Sequence, residues 1–170
     1  MTARVSADSL RLSIVLATDT YETLRPVIQS LRRQIDCEHL EIVIIAPDES
    51  LGRIDSSQLD GFGAVRVVAV STPLSLPRAR AAGVRDASTP IVFVARHFAF
   101  LNRICAIGLW PDSRTRHCAA VVPAIVNANP KTALSWASYL MDYGGWGPGR
   151  TSGQLKRPLK YNGAYRGMCC

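Results

Sequence analysis

Four short apolar runs, Leu12–Ala17 (LSIVLA), Leu40–Ala46 (LEIVIIA), Ala64–Val70 (AVRVVAV) and Ile91–Ala95 (IVFVA), recur with helix-length segments between them. Each is apolar at nearly every position and rich in Val and Ile, as a strand buried on both faces is. Such strands alternating with helices build β-α-β units with right-handed crossovers. The expected fold is therefore α/β in three layers, a mostly parallel sheet with helices on both faces. Leu24, Val27, Ile28, Leu31 and Ile35 recur at helical spacing and should pack on that sheet. Pro26 fits the first turn of a helix that begins near Thr23. A second helix is expected over Pro77–Ala87, entered through Ser75 or Leu76. Further on, Ala119–Val126 reads as another strand, Ala133–Asp142 as a short helix, and residues 144–158 as a mobile loop dominated by glycine, proline and polar residues.

The chain has 170 residues, 48% of them hydrophobic and 19% charged, enough for one folded domain with its own core. No apolar run approaches the roughly 20 residues of a membrane span, and Leu12–Ala17 is too short for a signal-peptide core. A soluble, cytoplasmic protein is the expectation. Cys37, Cys105, Cys118, Cys169 and Cys170 are scattered and form no C-x-x-C pair, which argues for reduced thiols over a disulfide framework or a zinc cage. The charge is uneven. Residues 1–90 carry 10 Lys/Arg against 11 Asp/Glu, whereas residues 91–170 carry 10 against 2, Asp112 and Asp142. The basic half lacks interleaved aromatics and any recognised nucleic-acid module, so no nucleic-acid partner is expected.

Neither G-x-x-x-x-G-K-[ST] nor G-x-G-x-x-G occurs, which removes the phosphate loops of P-loop enzymes and dinucleotide-binding domains. In a parallel sheet ligands bind beyond the strands' carboxyl ends. Those ends carry Thr18, Asp19 and Thr20, then Asp48, Glu49 and Ser50, then Ser71 and Thr72, then Arg96 and His97. A carboxylate there can accept hydrogen bonds from a nucleoside's base or ribose. Asp48 suits that role, or that of a turn residue; Asp19 suits it too, or caps the following helix. Arg78 and Arg80, near a helix start, could meet a diphosphate through their guanidinium forks or simply cover a solvated face.

The order of these parts resembles family 2 nucleotide-sugar glycosyltransferases of the GT-A fold. Leu12–Thr18 with Tyr21, followed by a helix and Leu40–Ser50, is similar to that family's opening, a strand ending in Pro-Thr-Tyr and a second ending in Asp-Asp-Gly-Ser. Arg80-Ala-Ala-Gly83, with Ala87–Ala95 after it, is similar to the family's Ala-Arg-Asn-x-Gly helix and the strand leading to its metal site. Asn162-Gly-Ala-Tyr165-Arg166 is similar to its short Asn-x-x-Tyr-Arg stretch. The resemblance implies a UDP- or GDP-sugar donor, with nucleotide contacts from Thr18, Asp19, Tyr21, Asp48, Ser50 and Arg80. It implies an acceptor side at Asn162, Tyr165 and Arg166.

It also implies a divalent cation, Mg or Mn, held by an acidic cluster after the fourth strand. This chain departs from the pattern there, with Val94-Ala95-Arg96-His97-Phe98. Arg96 cannot coordinate a metal, and His97 at the position of the metal motif supplies one nitrogen, so the expectation is that this chain binds no such cation. No base motif surrounds Asp112 or Asp142, and the chain stops where the family continues into its acceptor-binding part. Two alternatives cover these departures: a genuinely divergent loop and tail, or altered reading frames. Under permitted codon choices, restoring one nucleotide turns Leu101–Ala106 into Pro-Glu-Pro-Asp-Leu-Arg, and the segment 167–170 admits a similar repair. The functional expectations are transfer of a sugar to an acceptor or, alternatively, a non-catalytic nucleotide- or protein-binding module of the same fold.

Overall fold

The computed structural model describes residues 10–71, 75–96, 118–149 and 162–166. His97, the segment 101–117 and the tail 167–170 lie outside the described residues. Strands β1 (Leu12–Ala17), β2 (Leu40–Pro47), β3 (Ala64–Val70), β4 (Ile91–Ala95), β5 (Ala120–Val121) and β6 (Gly163–Arg166) form one sheet in the order β3-β2-β1-β4-β6-β5. The first four run parallel, and β6 lies antiparallel to both β4 and β5. The helices are α1 (Arg25–Arg32), α2 (Asp48–Leu51), α3 (Leu76–Asp86) and α4 (Ala133–Tyr143).

Alternate side chains of each strand go to opposite faces, and here both faces are covered. Leu12, Ile14 and Leu16 join Ile42, Ile44 and Phe93 against Val27, Ile28 and Leu31 of α1. On the other face Val15, Ala17, Val43, Ile45 and Val92 pack with Ala79 of α3. This is why the sequence shows unbroken apolar runs. Each fully buried aliphatic chain of α1 contributes about 1.5–3 kcal/mol by leaving water. Gly83 brings α3 close to the sheet: a Cβ there would meet Ile45 Cδ1 and lie 2.7 Å from Val15 Cγ1.

The expected three-layer α/β sheet is present, with four corrections of detail. β3 is an edge strand and only partly buried, with Val67 43% exposed, because nothing pairs with its outer side among the described residues. α1 closes at Arg32 through tightened bonds from Arg33 N to Ser30 O and Gln34 N to Leu31 O, and Asp36 then turns left-handed. Ile35 is consequently exposed, and Gln34 is buried in its stead. The strand expected over Ala119–Val126 shrinks to Ala120–Val121. Pro123 has no N–H for a ladder, and Ile125 bonds instead to Trp146 O and the Tyr139 hydroxyl. Finally, Asp19 does not cap a helix. Thr18 Oγ1 accepts the Thr20 N–H and lies 2.7 Å from Thr23 Oγ1, so the residue before it shapes the turn.

One charged group sits inside β2. Glu41 is fully buried and accepts hydrogen bonds from the Ser13 hydroxyl, the Ser88 N–H and hydroxyl at 2.8 Å each, and Arg66 Nε at 2.7 Å. Desolvation pushes its pKa up, and the four hydrogen bonds outweigh that and hold it below the usual glutamate value. The cluster ties β1, β2, β3 and the α3–β4 connection together at the amino ends of the strands, the end opposite the candidate site.

Candidate nucleotide site at the carboxyl ends of the strands

β1 and β2 pair in register from Leu12 with Leu40 to Ala17 with Ile45, so the segments that follow them emerge side by side. The Thr18 N–H continues the ladder to Ile45 O at 3.0 Å. Beyond it the Ser50 hydroxyl donates to Asp19 O at 2.9 Å, tying the end of β1 to α2. Ser50 and Thr18 are both buried, and their hydroxyls are committed to these local bonds. Tyr21 is also buried, its hydroxyl has no hydrogen-bond partner among the described residues, and desolvation raises its pKa, with Asp55 adding to the effect. Asp19, Thr20, Asp48 and Glu49 are exposed on this side of the rim. Asp48 is the first residue of α2, and its carboxylate makes no hydrogen bond or ion pair among the described residues.

α3 enters from the same rim, since it carries the crossover from the end of β3 to the start of β4. Pro77 occupies its first turn, where a missing N–H costs nothing. Ala79 belongs to the buried cluster of Ala17 and Ile45. Arg80 is half-buried beside it, and Arg78 is exposed.

The third part of the rim is the end of β4. Ala95 pairs with Leu16, which places Arg96 beside the exit of β1. The Arg96 N–H donates to Asn162 Oδ1 at 3.1 Å, while the Asn162 N–H donates to Val94 O at 2.8 Å. Asn162 adopts φ 58°, a left-handed conformation that asparagine tolerates. The Arg96 guanidinium donates to the Tyr143 hydroxyl at 2.9 Å and lies 3.9 Å from the Asp142 carboxylate. Two residues of α4 thus reach a strand end nearly fifty positions earlier, a link with no signal in the sequence beyond the aromatic spacing of the helix. Asn162 is at the rim, but Tyr165 and Arg166 are not: they pair with Val92 and Ile91, toward the other end of β4. Burial raises the pKa of Tyr165.

Among the described residues, the donor set at the end of β4 does not fit a divalent cation. Arg96 cannot coordinate one, and no group of three His, Cys, Asp or Glu side chains comes together among the described residues. Asp112 lies outside the described residues, and Asp142 faces an arginine.

No family model matches the sequence, and no curated protein matches it. Solved structures do. The chain is similar to Staphylococcus aureus TarS 1–349, a GT-A-like glycosyltransferase, with a TM-score of 0.63 at 14% identity over 92% of this chain and 47% of that one. TarS has also been solved with UDP, at a TM-score of 0.63, and with UDP-GlcNAc, at 0.60. A mannosyltransferase from Pyrobaculum calidifontis, in complex with GDP-Man and Mn2+, matches at 0.52 and 15% identity over 69% of this chain and 36% of that one. The chain has a glycosyltransferase fold. It spans about half the length of the TarS chain it matches. No helix among the described residues is long and apolar enough to cross a membrane.

Proposed function

We propose that this chain is the donor-binding domain of a family 2 glycosyltransferase, taking a UDP- or GDP-sugar at the carboxyl-end rim. One observation carries the reading: on a glycosyltransferase fold, the exposed carboxylates after β1 and β2 share a rim with the arginines of α3 and β4. Acceptors for a nucleoside's donors and cations for a diphosphate are the two chemistries a nucleotide sugar presents. In this reading Asp48 and Asp19 take the nucleoside and Arg80 the diphosphate. Thr18, Tyr21 and Ser50 act through backbone groups and by shaping the turn, because their side chains are buried. Asn162 faces the acceptor side; Tyr165 and Arg166 support β6. The free thiols of Cys37 and Cys118 suit the cytoplasm.

Calorimetry with UDP, GDP, UDP-GlcNAc and GDP-Man tests the reading; saturable binding of one nucleotide class supports it, and no binding of any overturns it. A second reading, a nucleotide-binding module without transferase activity, is favoured by the β4 end, where the donor set among the described residues fits no cation and no base motif surrounds Asp142. Donor hydrolysis or transfer by a chain that binds nucleotide excludes that module.

A further inference from the structure

The misfit between Arg96 and a metal site has a chemical consequence. A departing nucleoside diphosphate needs concentrated positive charge beside it, supplied in many sites by a divalent ion held on several hard oxygens. Among the described residues the end of β4 offers instead one arginine, Arg96, which the fold holds at both its backbone and its head. Its backbone is clamped by Asn162 Oδ1, its head donates to the Tyr143 hydroxyl, and Asp142 stands 3.9 Å away. The side chain is 27% exposed, so the charge is partly desolvated. Arg96 also neighbours the exit of β1, through the pairing of Ala95 with Leu16.

We propose that Arg96 is a built-in counter-charge for the diphosphate, so that nucleotide binding by this chain is independent of divalent metal. The inference rests on the donor-site reading above and goes beyond it in naming the group that replaces the cation. A guanidinium presents a planar pair of N–H donors that matches two phosphate oxygens, and its charge cannot be titrated away. Tyr143 and Asp142 are positioning residues, holding the head at the rim. Asp142 also tempers the charge when no anion is present. Attraction of this kind weakens as salt rises.

The test is calorimetry on the full chain, with uridine, UDP, guanosine and GDP as titrants, in manganese chloride and in EDTA. UDP or GDP binding should change by less than about threefold between the two conditions. Arg96→Ala should weaken the diphosphate by about tenfold or more, the range expected for losing a charge-assisted hydrogen-bonded pair. The matching nucleoside should bind the variant as it binds the wild type, which also shows that the variant is folded. Arg96→Lys should recover part of the loss. Diphosphate affinity unchanged in Arg96→Ala, or tightening of tenfold or more by manganese, overturns the proposal while leaving the donor site standing. Failure of the wild type to bind any of the four titrants overturns both.

Discussion

Asn162 and Arg96 are locked together through the backbone: Asn162 Oδ1 accepts the Arg96 N–H at 3.1 Å, and the Asn162 N–H donates to Val94 two residues earlier at 2.8 Å. The two bonds carry the β4 ladder one step past its last strand residue and splice the start of β6 onto it. A side chain and a left-handed backbone do this together, so the position constrains both. Asn162→Ala should lose the acceptor and strain the backbone, at about 1–2 kcal/mol for the conformation and about 1–3 kcal/mol for the orphaned N–H. Asn162→Gly relieves the conformation and should cost about half as much. Urea unfolding of the two variants checks the order.

The Glu41 cluster predicts acid sensitivity of a definite sign. Its folded pKa lies below the unfolded one, so its contribution is complete at neutral pH and is lost as pH falls through about 4.3 and below. Glu41→Gln removes the charge and places amide hydrogens against the donors of Ser88 and Arg66, at a cost of roughly 3 kcal/mol at pH 7. The stability gap between wild type and variant should narrow below about pH 5. Equal gaps at pH 7 and pH 4 would contradict the linkage.

Gly83 predicts a packing limit. Gly83→Ala drives a methyl group into Ile45 and Val15, both fully buried, and overpacking of that kind costs about 1–3 kcal/mol. Better helix propensity returns at most about 1 kcal/mol. The net effect is destabilising. Gly52→Ala, where a Cβ meets nothing within 4 Å, is the control and should lie within about 0.5 kcal/mol of wild type by thermal unfolding.

The parts of the fold legible in the sequence are those whose reason is local. β1, β2 and β4 announce themselves because a strand covered on both faces has no room for polar alternation; Ser13 and Glu41 are the polar exceptions, and they hydrogen-bond to each other across β1 and β2. β3 has the same composition as its neighbours, yet its place at the sheet edge depends on which strand does not follow it, information no window of sequence holds. β6 is four residues, Gly-Ala-Tyr-Arg, too short for a period to register. At the rim, the acidic and basic residue types were legible, but their availability was not. Asp48 is exposed, whereas Thr18 and Ser50 are committed to local bonds and Tyr21 is buried in the core, and the Arg96–Tyr143 contact spans 47 positions.

The central claim, a nucleotide site at the carboxyl-end rim, is tested most directly by amide chemical-shift mapping during titration with UDP and with GDP. The account predicts saturable shifts at Thr18 to Thr20, Asp48 to Ser50, Arg78 to Arg80 and Arg96, with Asp48→Asn weakening the nucleoside by about fivefold or more, as loss of a charged hydrogen-bond acceptor would. Shifts with neither nucleotide at millimolar concentration, or shifts confined to Glu41, Ser88 and Thr89 at the opposite end of the strands, would contradict it.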